Sequence, residues 1–182
     1  PSPATINGMQ IPLADTGNGV YSGIYTIREG DPDGKNIEAS NITLTGPGGT
    51  SVPGSSSGSS LAVDAHTPVI ASVILNPNSG TIAVGDSVTV IVREANVECG
   101  LTASSALVNG IPVSLSDAGN GEYKGVYTAG QNDKQGTIIE AVNITLTDDA
   151  GNVSAPASSA GSSLIITSSV QPTKPAITLL SP

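Results

Sequence analysis

One segment of this chain occurs twice. Residues 6–26 read INGMQIPLADTGNGVYSGIYT, and residues 108–128 read VNGIPVSLSDAGNGEYKGVYT. They align without a gap at an offset of 102. The register then holds. Ile37-Glu38-Ala39 matches Ile139-Glu140-Ala141, and the NITLT of 41–45 recurs at 143–147. One inserted residue later, Gly58-Ser59-Ser60-Leu61 matches Gly161-Ser162-Ser163-Leu164. A period near 100 residues is too long for a solenoid unit and is the size of an independent β-sandwich domain. The expected organisation is a first domain over 1–67 and a second over 68–168. Asp64-Ala65-His66-Thr67 forms a short joint before Pro68, and 169–182 is left as a linker and one more strand.

The second copy reads as strands throughout. Ala71–Leu75 comes first and ends at the turn cluster Asn76-Pro77-Asn78-Ser79-Gly80. Ser87–Arg93 alternates, with Val88, Val90 and Val92 on one face and Thr89 and Ile91 on the other. Ala103–Val108 leads into Asn109-Gly110, a strong hairpin signal, and Ile111–Ser116 pairs back. Glu122–Thr128 places Tyr123 and Tyr127 on one face. Ile138–Thr147 is expected as the longest strand, and Ser163–Thr167 closes the domain. No segment has a helical period, so the fold class is all-β and sandwich-like.

Composition narrows the function classes. The net charge is −9, and the six basic residues are scattered singly. A nucleic-acid partner needs a basic patch to release counterions, and none exists, so none is expected. No apolar run approaches the ~18–20 residues of a membrane span, so no membrane insertion is expected. The chain begins Pro1-Ser2-Pro3 without Met, which reads as a mature or excised segment. Cys99 is the only cysteine, so no disulfide forms within the chain. It is a buried small apolar residue, a free thiol, or half of an intermolecular bridge.

The motif Asp-x-Gly-Asn-Gly-x-Tyr-x-Gly-x-Tyr has a structural reading in each copy. Its glycines supply positive φ in a tight turn. Its Asp accepts backbone N–H groups there. Its tyrosines bury their rings while each hydroxyl finds a partner near the rim. With the runs Val84–Val92, Asp117–Thr128 and Thr147–Asn152, nearly the whole chain resembles bacterial immunoglobulin-like domains, and the motif resembles their tyrosine corner. The resemblance implies tandem immunoglobulin-like β-sandwiches in large secreted surface proteins, adhesin stalks or filaments, with an extracellular or cell-surface location. It carries no activity, because such domains are mostly spacers and scaffolds.

The first copy has no counterpart of Ala71–Arg93, so it lacks its first two strands. Alone, it would leave an apolar face and strand edges uncovered. At roughly 25 cal/mol per Å², several hundred Å² of open face costs about 10 kcal/mol, comparable to the stability of a small domain. The tail offers one cover. Residues 176–182 read AITLLSP, against ASVILNP at 71–77. Ala176, Ile177, Thr178, Leu179 and Leu180 are therefore candidate assembly residues. Donated to the first domain of a second copy, they would make a head-to-tail, self-propagating contact. The rival reading is that both ends are cut from a longer tandem array. Partners are accordingly other copies of the chain or adjacent modules.

Other constellations are weaker. A hydrolytic triad needs a His between a nucleophile and a carboxylate, and His66 lies alone in the joint. The expectation is no enzyme and no catalytic residues. Glu29, Asp31 and Asp33 form a carboxylate-rich loop and are weak calcium candidates, since calcium takes six to eight oxygens. The matching loop of the second copy keeps one acid, which favours a solvated turn and no cofactor. Asn41 and Asn143 open N-x-Thr sequons mid-strand and, by alternation, point outward as glycosylation candidates. The competing function is a binding module for carbohydrate or a receptor, or an accessory domain of a secreted enzyme.

Overall fold

The computed structural model describes residues 1–98 and 100–167. The protein is all-β, and among the described residues no helix is long and apolar enough to cross a membrane. Two compact units divide the chain. One is Pro1–Thr67 with Asp148–Asn152, and the other is Pro68–Thr147 with the described residues from Val153 to Thr167.

The first unit starts with β1 (Ala4–Ile6), which turns through Asn7-Gly8 into β2 (Met9–Ile11). Asn7 has φ 49° and Gly8 φ 80°, the left-handed pair that a two-residue hairpin with the strands' own twist requires. β3 (Ala14–Gly17) and β4 (Val20–Ser22) form a second hairpin around Asn18-Gly19. There Asp15 Oδ1 accepts the Gly17 N–H at 2.7 Å, the turn bond expected of the motif's Asp. β5 (Ala39–Ser40) pairs with the far edge of β1, and β6 (Thr45–Gly46) pairs with β7 (Gly49–Thr50).

The second unit repeats β1 to β5 and adds further strands. β8 (Ile70–Asn76), β10 (Ser87–Glu94), β14 (Ser116–Gly119) and β15 (Glu122–Thr128) form a four-stranded sheet in the order β14-β15-β10-β8. β12 (Ala106–Val108) lies between β13 (Ile111–Val113) and β16 (Ala141–Val142). β11 (Thr102–Ala103) pairs with β17 (Leu146–Thr147). β18 (Ser163–Ile166) runs parallel to β9 (Ser79–Ile82). The alternation in β10 does what its sequence implies: Val88, Val90 and Val92 are fully buried, with Thr89 and Ile91 half-exposed. They share one core with Val73 and Leu75 of β8, Tyr123 and Tyr127 of β15, and Val108, Ala141, Leu146 and Leu164 from the smaller sheets.

The repeat extends to the hydrogen bonds. The Ser56 N–H donates to the Ala39 carbonyl, as Ser159 does to Ala141. The hydroxyl oxygens of Ser2 and Ser104 accept the N–H of Thr43 and Thr145 at 2.8 and 2.9 Å. Those of Ser51 and Ser154 both accept from a leucine N–H, Leu44 and Leu146, at 3.0 Å. These serines are thus pairing groups of a recurrent frame.

Several expectations need correcting. Ile138–Thr147 is not one long strand. Asn143 sits at φ 61°, which breaks the pleat, so only β16, β17 and isolated bridges at Ile138 and Ile144 remain. Asn41 repeats this at φ 59°, so neither asparagine is mid-strand. Ala103–Val108 splits into β11 and β12, and the strand expected to run to Ser116 ends at Val113. Ser79-Gly80 does not merely end a turn: it opens β9.

Candidate functional site

The two units carry matched side chains in unlike surroundings. Leu146 is 0% exposed, whereas its counterpart Leu44 is 44% exposed. Leu164 is 0% exposed and its counterpart Leu61 is 55% exposed. Val108, Tyr123, Ile139, Ala141 and Ile144 are all buried; Ile6, Tyr21, Ile37, Ala39 and Ile42 are only half-buried. The result is a groove of about 660 Å³ within the first unit. Its apolar walls include Ile6, Ile11, Leu13, Tyr21, Ile42 and Leu44. Among the described residues, no strand of the first unit takes the place that β8 and β10 hold in the second.

The strand bordering this groove differs from its counterpart in length and pairing. β4 and β15 lie in nearly the same sequence, VYSGIYT and EYKGVYT. β15 runs seven residues because β10 pairs along all of it, Val88 opposite Tyr127, Val90 opposite Gly125 and Val92 opposite Tyr123. β4 stops after three residues and, among the described residues, pairs only with β3. Its second edge has no partner among the described residues, so strand length here is decided by the partner and not by local propensity.

Gly23 and Gly125 explain the central glycine of the motif. A Cβ on Gly23 would stand 2.7 Å from the Pro12 carbonyl oxygen. One on Gly125 would overlap the Ser114 carbonyl oxygen. Only a hydrogen there lets the preceding corner cross beneath the strand.

The second tyrosine of each motif is tied into a repeated knot. Tyr25 Oη donates to Asp31 Oδ2 at 3.2 Å, and the same oxygen accepts the Arg28 N–H at 2.9 Å. Asn7 Nδ2 donates to the Tyr25 oxygen at 3.3 Å. In the second unit, Tyr127 donates to Asp133 and Asn109 donates to Tyr127 at 3.5 Å. Burial, reinforced by the Asp133 carboxylate, pushes the Tyr127 phenol up to about 12. Asp31 therefore has the same kind of turn-holding partners as Asp133, a tyrosine hydroxyl and a backbone N–H.

The other two calcium candidates point to the joint. Glu29 Oε1 accepts the Thr67 N–H at 3.1 Å, and Asp33 Oδ1 accepts the Ala65 N–H at 2.8 Å. His66 Nδ1 lies 3.0 Å from both Asp33 oxygens. Asp33, Asp64 and His66 each offer a ligand atom within 4.8 Å of the others, all three exposed. The sequence spacing hides this grouping, because Asp33 reaches the joint only through the fold. Each side chain already has a local partner: Asp33 in Ala65 and His66, and Asp64 Oδ1 in the His66 N–H at 3.5 Å.

This pair has a testable electrostatic signature. Hydrogen bonding to Asp33 holds the His66 pKa above its ordinary value of 6.5. The Ala65 N–H, then His66, hold Asp33 below 3.8. A raised histidine contributes stability below its unfolded pKa and loses it as pH rises through the folded one. The lowered Asp33 contributes above its unfolded pKa and loses it as pH falls through the folded one. The contribution is therefore present from about pH 4 to pH 6.5 and weakens on either side. Because His66 is the only histidine, a proton NMR titration reads it cleanly. Asp33→Asn is expected to lower its midpoint towards 6.5; an unchanged midpoint would show that the contact is not populated in solution.

Asn41 and Asn143 are both exposed, at the pleat breaks described above. Ala176, Ile177, Thr178, Leu179, Leu180 and Cys99 lie outside the described residues. One buried polar group escaped notice in the sequence. Glu94 is buried, its Oε1 accepting the Glu98 N–H at 2.7 Å while Oε2 has no hydrogen-bond partner among the described residues. The signal was present, since Glu94 continues the buried phase of Val88, Val90 and Val92. No family model and no curated protein matches this chain.

Proposed function

We propose that this chain is a non-catalytic structural segment of an extracellular or cell-surface assembly, a filament or adhesin stalk. In this reading both units are immunoglobulin-like β-sandwich modules, and the first is completed by a strand from outside its own described residues. One observation carries it: the apolar groove lies open in the first unit while the same positions in the second are sealed in a core with Val73, Leu75, Val88, Val90 and Val92. The repeated turn knots support a scaffold, because the motif residues are spent on holding turns and strand register. A carbohydrate-binding role draws less support, since sugar sites favour exposed aromatics and the tyrosines are half-buried or buried.

Completion by the tail of a second copy makes the contact heterologous and able to propagate. The purified chain is expected to form concentration-dependent rods, visible by electron microscopy and by sedimentation. Removing residues 176–182 is expected to leave particles of one chain. Assembly that proceeds unchanged without those residues would overturn the donation.

A further inference from the structure

Resting on the reading that a tail strand completes the first unit, we infer that this strand takes the inner slot beside β4. That is the place β10 holds on β15, and not the place of β8, which the tail resembles in sequence. The second unit supplies the reason. Its sheet order is β14-β15-β10-β8, so β8 is the outer strand and all its sheet hydrogen bonds go to β10. The first unit has no counterpart of β10 among the described residues. A single strand laid in the outer position would have no backbone partner, and unpaired backbone groups removed from water cost too much to tolerate. The inner position offers the open edge of β4, in a groove lined by Tyr21, Gly23, Ile42 and Leu44.

The two slots impose opposite phases on the tail. A one-residue slip exchanges the faces of a strand, because its side chains alternate. Aligned with β8, the tail puts Thr178 where Val73 is and Leu180 where Leu75 is, the two buried positions of that strand. The inner slot asks for something else. β10 fills it with three fully buried valines at alternate positions. In the tail, the alternating pair without a polar member is Ile177 and Leu179. Docked beside β4 in the antiparallel sense of β10, Ile177 and Leu179 enter the groove and Thr178 and Leu180 face outward. The partner is therefore the 176–182 segment of a second copy, held by main-chain bonds to β4 and by these two side chains.

Single charges in the full chain separate the slots. Leu179→Asp places a carboxylate in the groove and is expected to raise the half-assembly concentration by at least ~100-fold. Leu180→Asp stays solvated and is expected to change it by less than ~3-fold. Ile177→Asp repeats the first result from a second position. Circular dichroism of each variant checks that the two units remain folded. Sensitivity at Leu180 with tolerance at Leu179 overturns the inner slot and leaves strand donation standing. Equal tolerance at all three positions removes the tail as occupant. A parent chain that does not assemble at all removes the donation reading, and this inference with it.

Discussion

Leu146→Ala is expected to destabilise the second unit by about 2–5 kcal/mol, and Leu44→Ala in the unassembled chain to cost the first unit less than about 1 kcal/mol. The two leucines occupy the same place in the repeat and differ in cover. Leu146 is fully buried, so its truncation loses transfer free energy and leaves a cavity among side chains that relax only in part. Leu44 lines an open groove, so water replaces what truncation removes. Hydrogen exchange reads each unit separately. The Ile144 N–H, bonded to the Ala157 carbonyl at 3.0 Å, reports on the second unit; the Ile42 N–H, bonded to Gly54 at 3.1 Å, reports on the first. Under the proposed strand donation, assembly should reverse the contrast, because a strand seated in the groove would cover Leu44. Its truncation then weakens assembly while leaving Ile144 exchange unaltered. Equal costs in the unassembled chain would mean that the groove is already filled in solution.

The sequence was informative wherever one residue type has one local solution. Asn-Gly at 7–8 and 109–110 demanded two positive φ values, and both hairpins formed there. The alternation in Ser87–Arg93 fixed the buried face of β10. It was silent where a distant partner decides. Nothing in VYSGIYT distinguishes a three-residue strand from the seven residues of EYKGVYT; the presence of β10 does. NITLT looks like a continuous strand because its side chains suit one, yet Asn143 takes φ 61° and the pairing changes across it. β9 was lost among turn residues because its pairing with β18 joins segments more than eighty residues apart. The grouping of Asp33 with Asp64 and His66 was hidden for the same reason. The groove was expected in outline, since residues 1–67 carry no counterpart of Ala71–Arg93. Its location along β4 was not, because that needs the sheet order.

Gly125→Ala is expected to destabilise the second unit by about 1–3 kcal/mol, a large effect for one methyl group on a strand. The cause is contact, since the added carbon would overlap the Ser114 carbonyl oxygen and lie 2.8 Å from Val113 Cγ1. Neither is the free end of a flexible chain. β15 must move off the corner between β13 and β14, and that strains its seven-residue ladder with β10. Gly23→Ala meets the same obstacle, with Pro12 O at 2.7 Å and Ile11 Cγ2 at 3.0 Å. Here, though, β4 carries no second ladder among the described residues, so it moves at smaller cost to the free chain. What suffers is the edge that the proposed donation would use. Thermal unfolding followed with sedimentation separates the two effects. Gly125→Ala should lower the melting of the second unit and spare assembly until that unit opens. Gly23→Ala should leave the second unit's melting in place and weaken assembly. A Gly23→Ala chain that assembles like its parent would move the docking edge away from β4, whatever fills the groove.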